Sequence, residues 1–344
     1  MNILFKKYIL LSRALLNASV GLMVWCMLFP AAVLAQSDPL YTQSWAIPAL
    51  YNPATAGSTD YLRIRGAGRM QWVGIRNAPK SFSGSADIPF KLLNRRWGAG
   101  ANVTQEGIGL FSNTYVNGQI SGRLKKIFGG ELTLGLQVGY FGSSFRGSEV
   151  YIPDEDDYHD SNDPSIPNQD VGGGTVDFGV GIYYSHPKFH VGISMLHPAS
   201  PKVKLNTKGT TSSSATSDNH EYETYVNRTL YLTAGSNIPI KNTLIELQPD
   251  LIVASDLKDF SAVLSLKGWY NKFLFGGIAY RWDDAISINL GAEFKNFILG
   301  YAYDIPTTRI LKASSGSHEI IIGYRMKLDF SGKNRNRHRS IRLM

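Results

Sequence analysis

The sequence predicts an all-β protein, an antiparallel transmembrane β-barrel of about 14 strands with long extracellular loops and short periplasmic turns. Three observations lead there. The chain opens with an export leader, its body alternates apolar and polar residues with period two, and beyond the leader no window of about 18 apolar residues offers a spanning helix.

The leader comes first. Lys6, Lys7 and Arg13 give a basic flank, an apolar stretch runs from Ala14 to Phe29, and Val33 and Ala35 stand three and one before Gln36. Residues 1–35 therefore read as a signal peptide cut after Ala35. A retained anchor is the competing reading, but Pro30 interrupts the apolar run and Gln36-Ser37-Asp38 turns polar at once. The only cysteine, Cys26, leaves with the leader, which excludes a disulfide scaffold and a thiolate metal site. Residues 36–58 follow as an N-terminal periplasmic segment, 59–330 as the barrel and 331–344 as a basic tail.

The net charge of +8 is an end effect. Three of the 35 basic residues lie in the leader and five (Lys333, Arg335, Arg337, Arg339, Arg342) in the last dozen residues, so the body is balanced at 27 against 27. A nucleic-acid-binding face along the body is thereby disfavoured. With 18% charged residues, 12% aromatics and 34 glycines, the chain is neither disordered nor a coiled coil.

Period-two alternation then defines the strands. In 285–294, Ile286, Ile288, Leu290, Ala292 and Phe294 share one face and Ser287, Asn289, Gly291 and Glu293 the other. The same pattern marks 132–140, 176–184 and 320–330. A soluble sandwich alternates too. A membrane barrel is favoured by segments of about ten residues, a Gly, Ser, Asn and Gln-rich second face, and strand-end aromatics (Trp269, Tyr270, Tyr280, Trp282, Tyr301, Tyr303) suited to interfacial girdles. Strands are expected at 59–72, 80–90, 96–106, 112–125, 130–145, 174–185, 188–197, 226–238, 243–255, 260–270, 273–282, 285–294, 297–305 and 318–330. The longest connections, 146–173, 198–225 and 306–317, all follow odd-numbered strands and so share one rim. In outer-membrane barrels that rim is extracellular, which puts both termini in the periplasm.

Three blocks carry a family resemblance. The opening, Asp38-Pro39-Leu40-Tyr41-Thr42-Gln43 with Tyr51-Asn52-Pro53-Ala54-Thr55-Ala56-Gly57-Ser58, is similar to a "DPxFTQ…NPAxAGS" motif. Arg69-Met70-Gln71-Trp72-Val73-Gly74 and Ala78-Pro79-Lys80-Ser81 resemble an "RxQWxG…APKS/T" hairpin, and Gly316 to Arg325 resembles a "GSHEIxLGYRF" closing strand. The chain thus resembles the PorP/SprF family of outer-membrane proteins of the Bacteroidetes type IX secretion and gliding machinery. Ile47 stands where the family commonly has Asn before Pro48, removing a side-chain cap from that turn. The tail past 330 also departs from barrels that end on a terminal aromatic. The resemblance implies a non-enzymatic barrel that helps export or retain a surface adhesin bearing a C-terminal sorting domain, and that contacts outer-membrane lipid and the periplasmic ring subunits of the machine. The competing function is a diffusion porin for small solutes.

No catalytic signature or cofactor motif is present. There is no G-x-S-x-G, His318-Glu319 lacks a second His at zinc-helix spacing, and no glycine run has phosphate-loop form. Residues 154–163 hold six carboxylates, a density that can hold calcium, with Asp154, Asp156 and Asp160 as candidates, but the spacing does not match an EF-hand loop and a solvated acidic loop is the favoured reading. Alternation places Arg123, Lys267, Glu293, Arg325, Lys327 and Asp329 inside the barrel, because a cation facing lipid costs about 2–4 kcal/mol at mid-bilayer. These form an expected lumen network of salt bridges. From the resemblance, Gln71, Trp72 and Pro79 are expected to shape a mouth used by the partner, with Arg325 as a further contact.

Overall fold

A computed structural model describes residues 38–150, 167, 169–207 and 222–328. Its strands are β1 Tyr61–Met70, β2 Lys80–Leu92, β3 Arg95–Ile108, β4 Phe111–Ile127, β5 Gly130–Phe145, β6 Val171–Ser185, β7 Phe189–Leu196, β8 Lys202–Thr207, β9 Tyr222–Tyr225, β10 Thr229–Ser236, β11 Ile238–Pro239, β12 Ile245–Ser255, β13 Phe260–Tyr270, β14 Leu274–Arg281, β15 Ala285–Phe294, β16 Phe297–Pro306 and β17 Ser317–Lys327. The two-residue β11 continues β10 along β12. β8 and β9 form a separate hairpin. The wall is a closed antiparallel barrel of 14 strands. It closes where β1 pairs with both β2 and β17, so that Arg63 stands opposite Asp87 on one side and Arg325 on the other. Closure leaves no wall strand with an unpaired edge, the condition a sheet must meet in hydrocarbon.

The alternating faces arise from the two environments. Ile278 on β14 is 60% exposed while its neighbour Ala279 is 3% exposed. Phe178, Val180 and Ile182 of β6 likewise face outward, whereas Asp177 faces in and is buried. The girdle expectation needs one correction. Tyr270 and Tyr280 face outward, but Trp269 points into the barrel, where it packs against Trp45 and Phe275.

Loop lengths separate the rims as the parity of the strands predicts. The connections 71–79, 146–170, 197–228 and 307–316 lie at one end, and two- to five-residue turns such as 93–94, 128–129 and 295–296 close the other. Within 197–228 the chain makes the β8–β9 hairpin, which was expected as loop. It joins the top of β6 through Val171 opposite Thr207, and its buried Val203 and Leu205 pack with Phe141 and Val171. The apolar side of β8 thereby leaves water against the tall part of the wall.

The largest departure concerns residues 39–58. Set apart in the sequence as a segment ahead of the barrel, they pack against its inner face. Tyr41, Ile47, Tyr51 and Ala54 are at most 2% exposed. Leu40, Tyr41, Ala46, Ile47 and Tyr51 form one core with Ala67, Leu196, Tyr231, Ile252, Val263, Ala279 and Ile321 of the wall. Three short 3-10 turns, Ser44–Ala46, Pro48–Leu50 and Pro53–Thr55, coil this segment. Pro48 and Pro53 each start a turn at a position that needs no amide donor. Asn52 caps the third by accepting from the Ala54 amide, while Ile47, which cannot cap, is buried in the core instead.

Candidate functional site

A segment inside a barrel has no ladder to satisfy its backbone, so its polar groups must find side chains. The polar inner wall supplies them. Arg281 donates to the Leu40 carbonyl at 2.8 Å, Gln119 and Asn102 to Ala49 at 2.8 and 3.1 Å, Ser194 to Tyr51 at 2.6 Å, and Ser121 to Ala56 at 2.6 Å. Arg63 and Arg123 donate to the Thr55 and Gly57 carbonyls at 2.9 and 2.8 Å. In the other direction Asp87 accepts from the Gly57 amide at 2.8 Å, and Glu319 accepts from the Thr42 and Gln43 amides at 2.7 Å each. The Ser, Asn and Gln content of the inner face is thus explained by what it binds.

Close approach is prepared by missing side chains. A Cβ on Gly135 would collide with the Pro53–Ala54 backbone, and one on Gly98 with the Ala56 carbonyl. Gly57 turns the segment toward β1 with φ +60°, a conformation in which its own Cβ would meet Gly98.

Three charged clusters moor the segment. Arg69, 3% exposed, pairs with Asp304 at 2.6 Å and Glu319 at 3.3 Å, and Thr42 donates to Asp304. Lys267 pairs with Asp250 and lies 4.0 Å from the Trp45 ring centroid. At the long-loop end, His197 bonds Asp177 through Nδ1 at 2.7 Å and Asp38 through Nε2 at 3.2 Å, while Tyr231 donates to Asp38 at 2.9 Å. Two carboxylates on the two ring nitrogens require both nitrogens to donate, which is the charged form. Burial disfavours that charge, yet Asp38 and Asp177 more than offset it and push His197 up to about 10. A cavity of about 40 Å³ beside Asp38, Glu106 and Tyr115, no more than a water or two in size, is the space left here.

Of the expected lumen residues, Arg123 pairs with Glu131 at 3.0 Å as well as bonding the plug that residues 39–58 form, Lys267 is buried as described, and Glu293 pairs with Arg325. Lys327 is exposed at the short-turn rim. Asp329 and the metal candidates Asp154, Asp156 and Asp160 lie outside the described residues. The expected partner residues divide between the two ends. Gln71, Trp72 and Pro79 belong to the loop after β1, where the Gln71 amide donates to the Pro79 carbonyl at 2.9 Å and Trp72 adopts φ 51°. Val73 ties this loop to the last long loop through Gly316 and Ser315. Arg325 stands at the opposite end, opposite Arg63 and 5.2 Å from the Tyr61 ring centroid. Antiparallel pairing of β1 with β17 makes a joint site of all four impossible.

No curated protein matches the chain. Solved barrels resemble it at low identity. The Ralstonia pickettii toluene transporter TbuX is 12% identical over 81% of this chain and 93% of its own, with TM-score 0.46. The Pseudomonas putida toluene transporter TodX is 10% identical over 85% and 95%, with TM-score 0.46. The Acinetobacter baumannii outer membrane protein Omp33 is 7% identical over 77% and 97%, with TM-score 0.40. The family model for the type IX secretion system membrane protein PorP/SprF matches residues 33–324, which takes in the plug and nearly the whole wall. The chain belongs to the PorP/SprF family of type IX secretion system membrane proteins.

Proposed function

We propose that this barrel is a non-enzymatic component of the type IX secretion and gliding machinery that binds the C-terminal sorting domain of a secreted adhesin and aids its export or surface retention. The observation that carries the reading is the filled lumen. Residues 39–58 occupy the interior and are moored by buried ion pairs, so the wall and rims are what this protein offers a partner. The diffusion porin loses support for the same reason. Orientation follows the general rule for such barrels: long loops outside the cell, both termini in the periplasm after cleavage at Ala35, and the short turns toward the ring subunits of the machine.

Docking would use the long-loop rim. There the loop holding Gln71, Trp72 and Pro79 is braced by the last long loop, and the β8–β9 hairpin packs against the tall part of the wall. A braced rim loses little freedom when a partner binds, which favours affinity.

Tagged full-length protein recovered from outer membranes should bring a secreted adhesin with it. Deletion of the gene should abolish that adhesin's display and leave solute uptake unchanged. Normal display in the deletion strain, or reduced uptake with display intact, overturns the reading.

A further inference from the structure

The cavity at the long-loop end has a lining that the mooring of the plug does not explain. Glu106 of β3 lines it and is 6% exposed. Among the described residues its carboxylate accepts a single hydrogen bond, from Ser81 at 3.2 Å, and forms no ion pair. A carboxylate withdrawn from water normally has a cation beside it. His197 does not serve, because its two ring nitrogens are committed to Asp38 and Asp177. No Lys, Arg or His lines the cavity.

Strand register builds this wall. Antiparallel pairing sets Glu106 between Ser81 of β2 and Asn113 of β4, and two positions down the strand Thr104 stands between Ser83 and Tyr115. Thr104, Asn113 and Tyr115 are half-buried, so the cavity is reached from the long-loop rim.

We propose that this cavity receives a primary ammonium on an unbranched alkyl stem, the end of a lysine side chain or of a small alkylamine, with Glu106 as its counterion. Size selects the head. A space of about 40 Å³ holds an ammonium, which is close to water in bulk, and is too small for the planar fork of a guanidinium. The acceptors match its three donors: the Glu106 carboxylate, the Asn113 side-chain carbonyl and the Thr104 hydroxyl line one wall. The rings of Tyr51, Tyr115, Phe141 and Tyr231 complete the lining and suit the apolar stem behind the charge. A hard metal ion fits poorly, since it wants about six to eight oxygens. Here both oxygens of Asp38 are held by His197 and Tyr231, and the Ser83 hydroxyl is held by Tyr41 and Thr104. The inference concerns this cavity alone and does not depend on the secretion role.

The test is saturation-transfer NMR on the purified full-length barrel in detergent near neutral pH. The probes are n-butylammonium and blocked glycine peptides carrying one central lysine, arginine or acetyl-lysine. The lysine peptide should bind at least about tenfold more tightly than the arginine and acetyl-lysine peptides, the worth of one hydrogen-bonded charge. Binding of both amines identifies a side chain as the ligand, and binding of n-butylammonium alone identifies a free amine. Glu106→Gln should weaken amine binding about tenfold and keep the wild-type melting temperature, since an amide oxygen still accepts from Ser81. Glu149→Gln, which removes an exposed carboxylate at the same end, should bind as the wild type does. Equal binding of the three peptides by the wild type, binding of neither amine, or undiminished affinity in Glu106→Gln would overturn the ammonium site.

Discussion

Glu319 joins the two ends of the sequence: its carboxylate accepts from two consecutive plug amides and from Arg69. Replacing it by Ala leaves Arg69 with Asp304 and the Thr42 hydroxyl and removes the acceptor of two buried amides. Loss of one partner from a buried ionic cluster costs about 3–5 kcal/mol, so Glu319→Ala should lower the melting temperature markedly, measured by heat-dependent electrophoretic migration. His197 gives a pH-dependent counterpart. A raised histidine pKa stabilises fully below its ordinary value near 6.5, and the contribution disappears as pH rises through about 10. The wild type should therefore lose more melting temperature between about pH 8 and pH 11 than His197→Asn does. An equal loss would remove the charged ring from the account. Neither residue's role was legible beforehand. In sequence His318-Glu319 offers no more than a zinc motif that fails for want of a second His, because Thr42 and Gln43 lie more than 270 positions away.

The elements were legible where lipid dictates them. A strand with one face in hydrocarbon must alternate, so β5, β6, β15 and β17 could be placed by period alone, and the even count and the two rims followed. The plug has no such period. Its signals were of other kinds: Pro at two turn starts, Asn52 before Pro53, and inner-face glycines such as Gly98 and Gly135 with no turn to explain them. Those glycines yield a prediction for the element. Gly135→Val places a branched side chain where Ala54 packs, and overpacking of this type costs about 1–3 kcal/mol. It should loosen the plug while leaving wall pairing intact, read as faster protease cleavage within 39–58 at unchanged far-ultraviolet circular dichroism. The β8–β9 hairpin stayed hidden because its strands are short and flank a Ser/Thr-rich stretch that resembles a flexible linker.

At the scale of the whole molecule, the opening and closing family blocks are two sides of one contact set. The "DPxFTQ" residues Thr42 and Gln43 meet Glu319 of the "GSHEI" strand, and the Asn52–Gly57 stretch meets Arg63, Asp87 and Ser121 of the early wall. A barrel filled in this way is stiff and offers rims and outer wall for recognition, consistent with a secretion component. The decisive measurement is solute flux through purified barrels in liposomes, comparing the wild type with a chain whose residues 39–56 are replaced by a Gly/Ser linker. The wild type should pass no more small solute than empty liposomes, and the linker variant should conduct. Free flux through the wild type would contradict the filled lumen and return the protein to the porins.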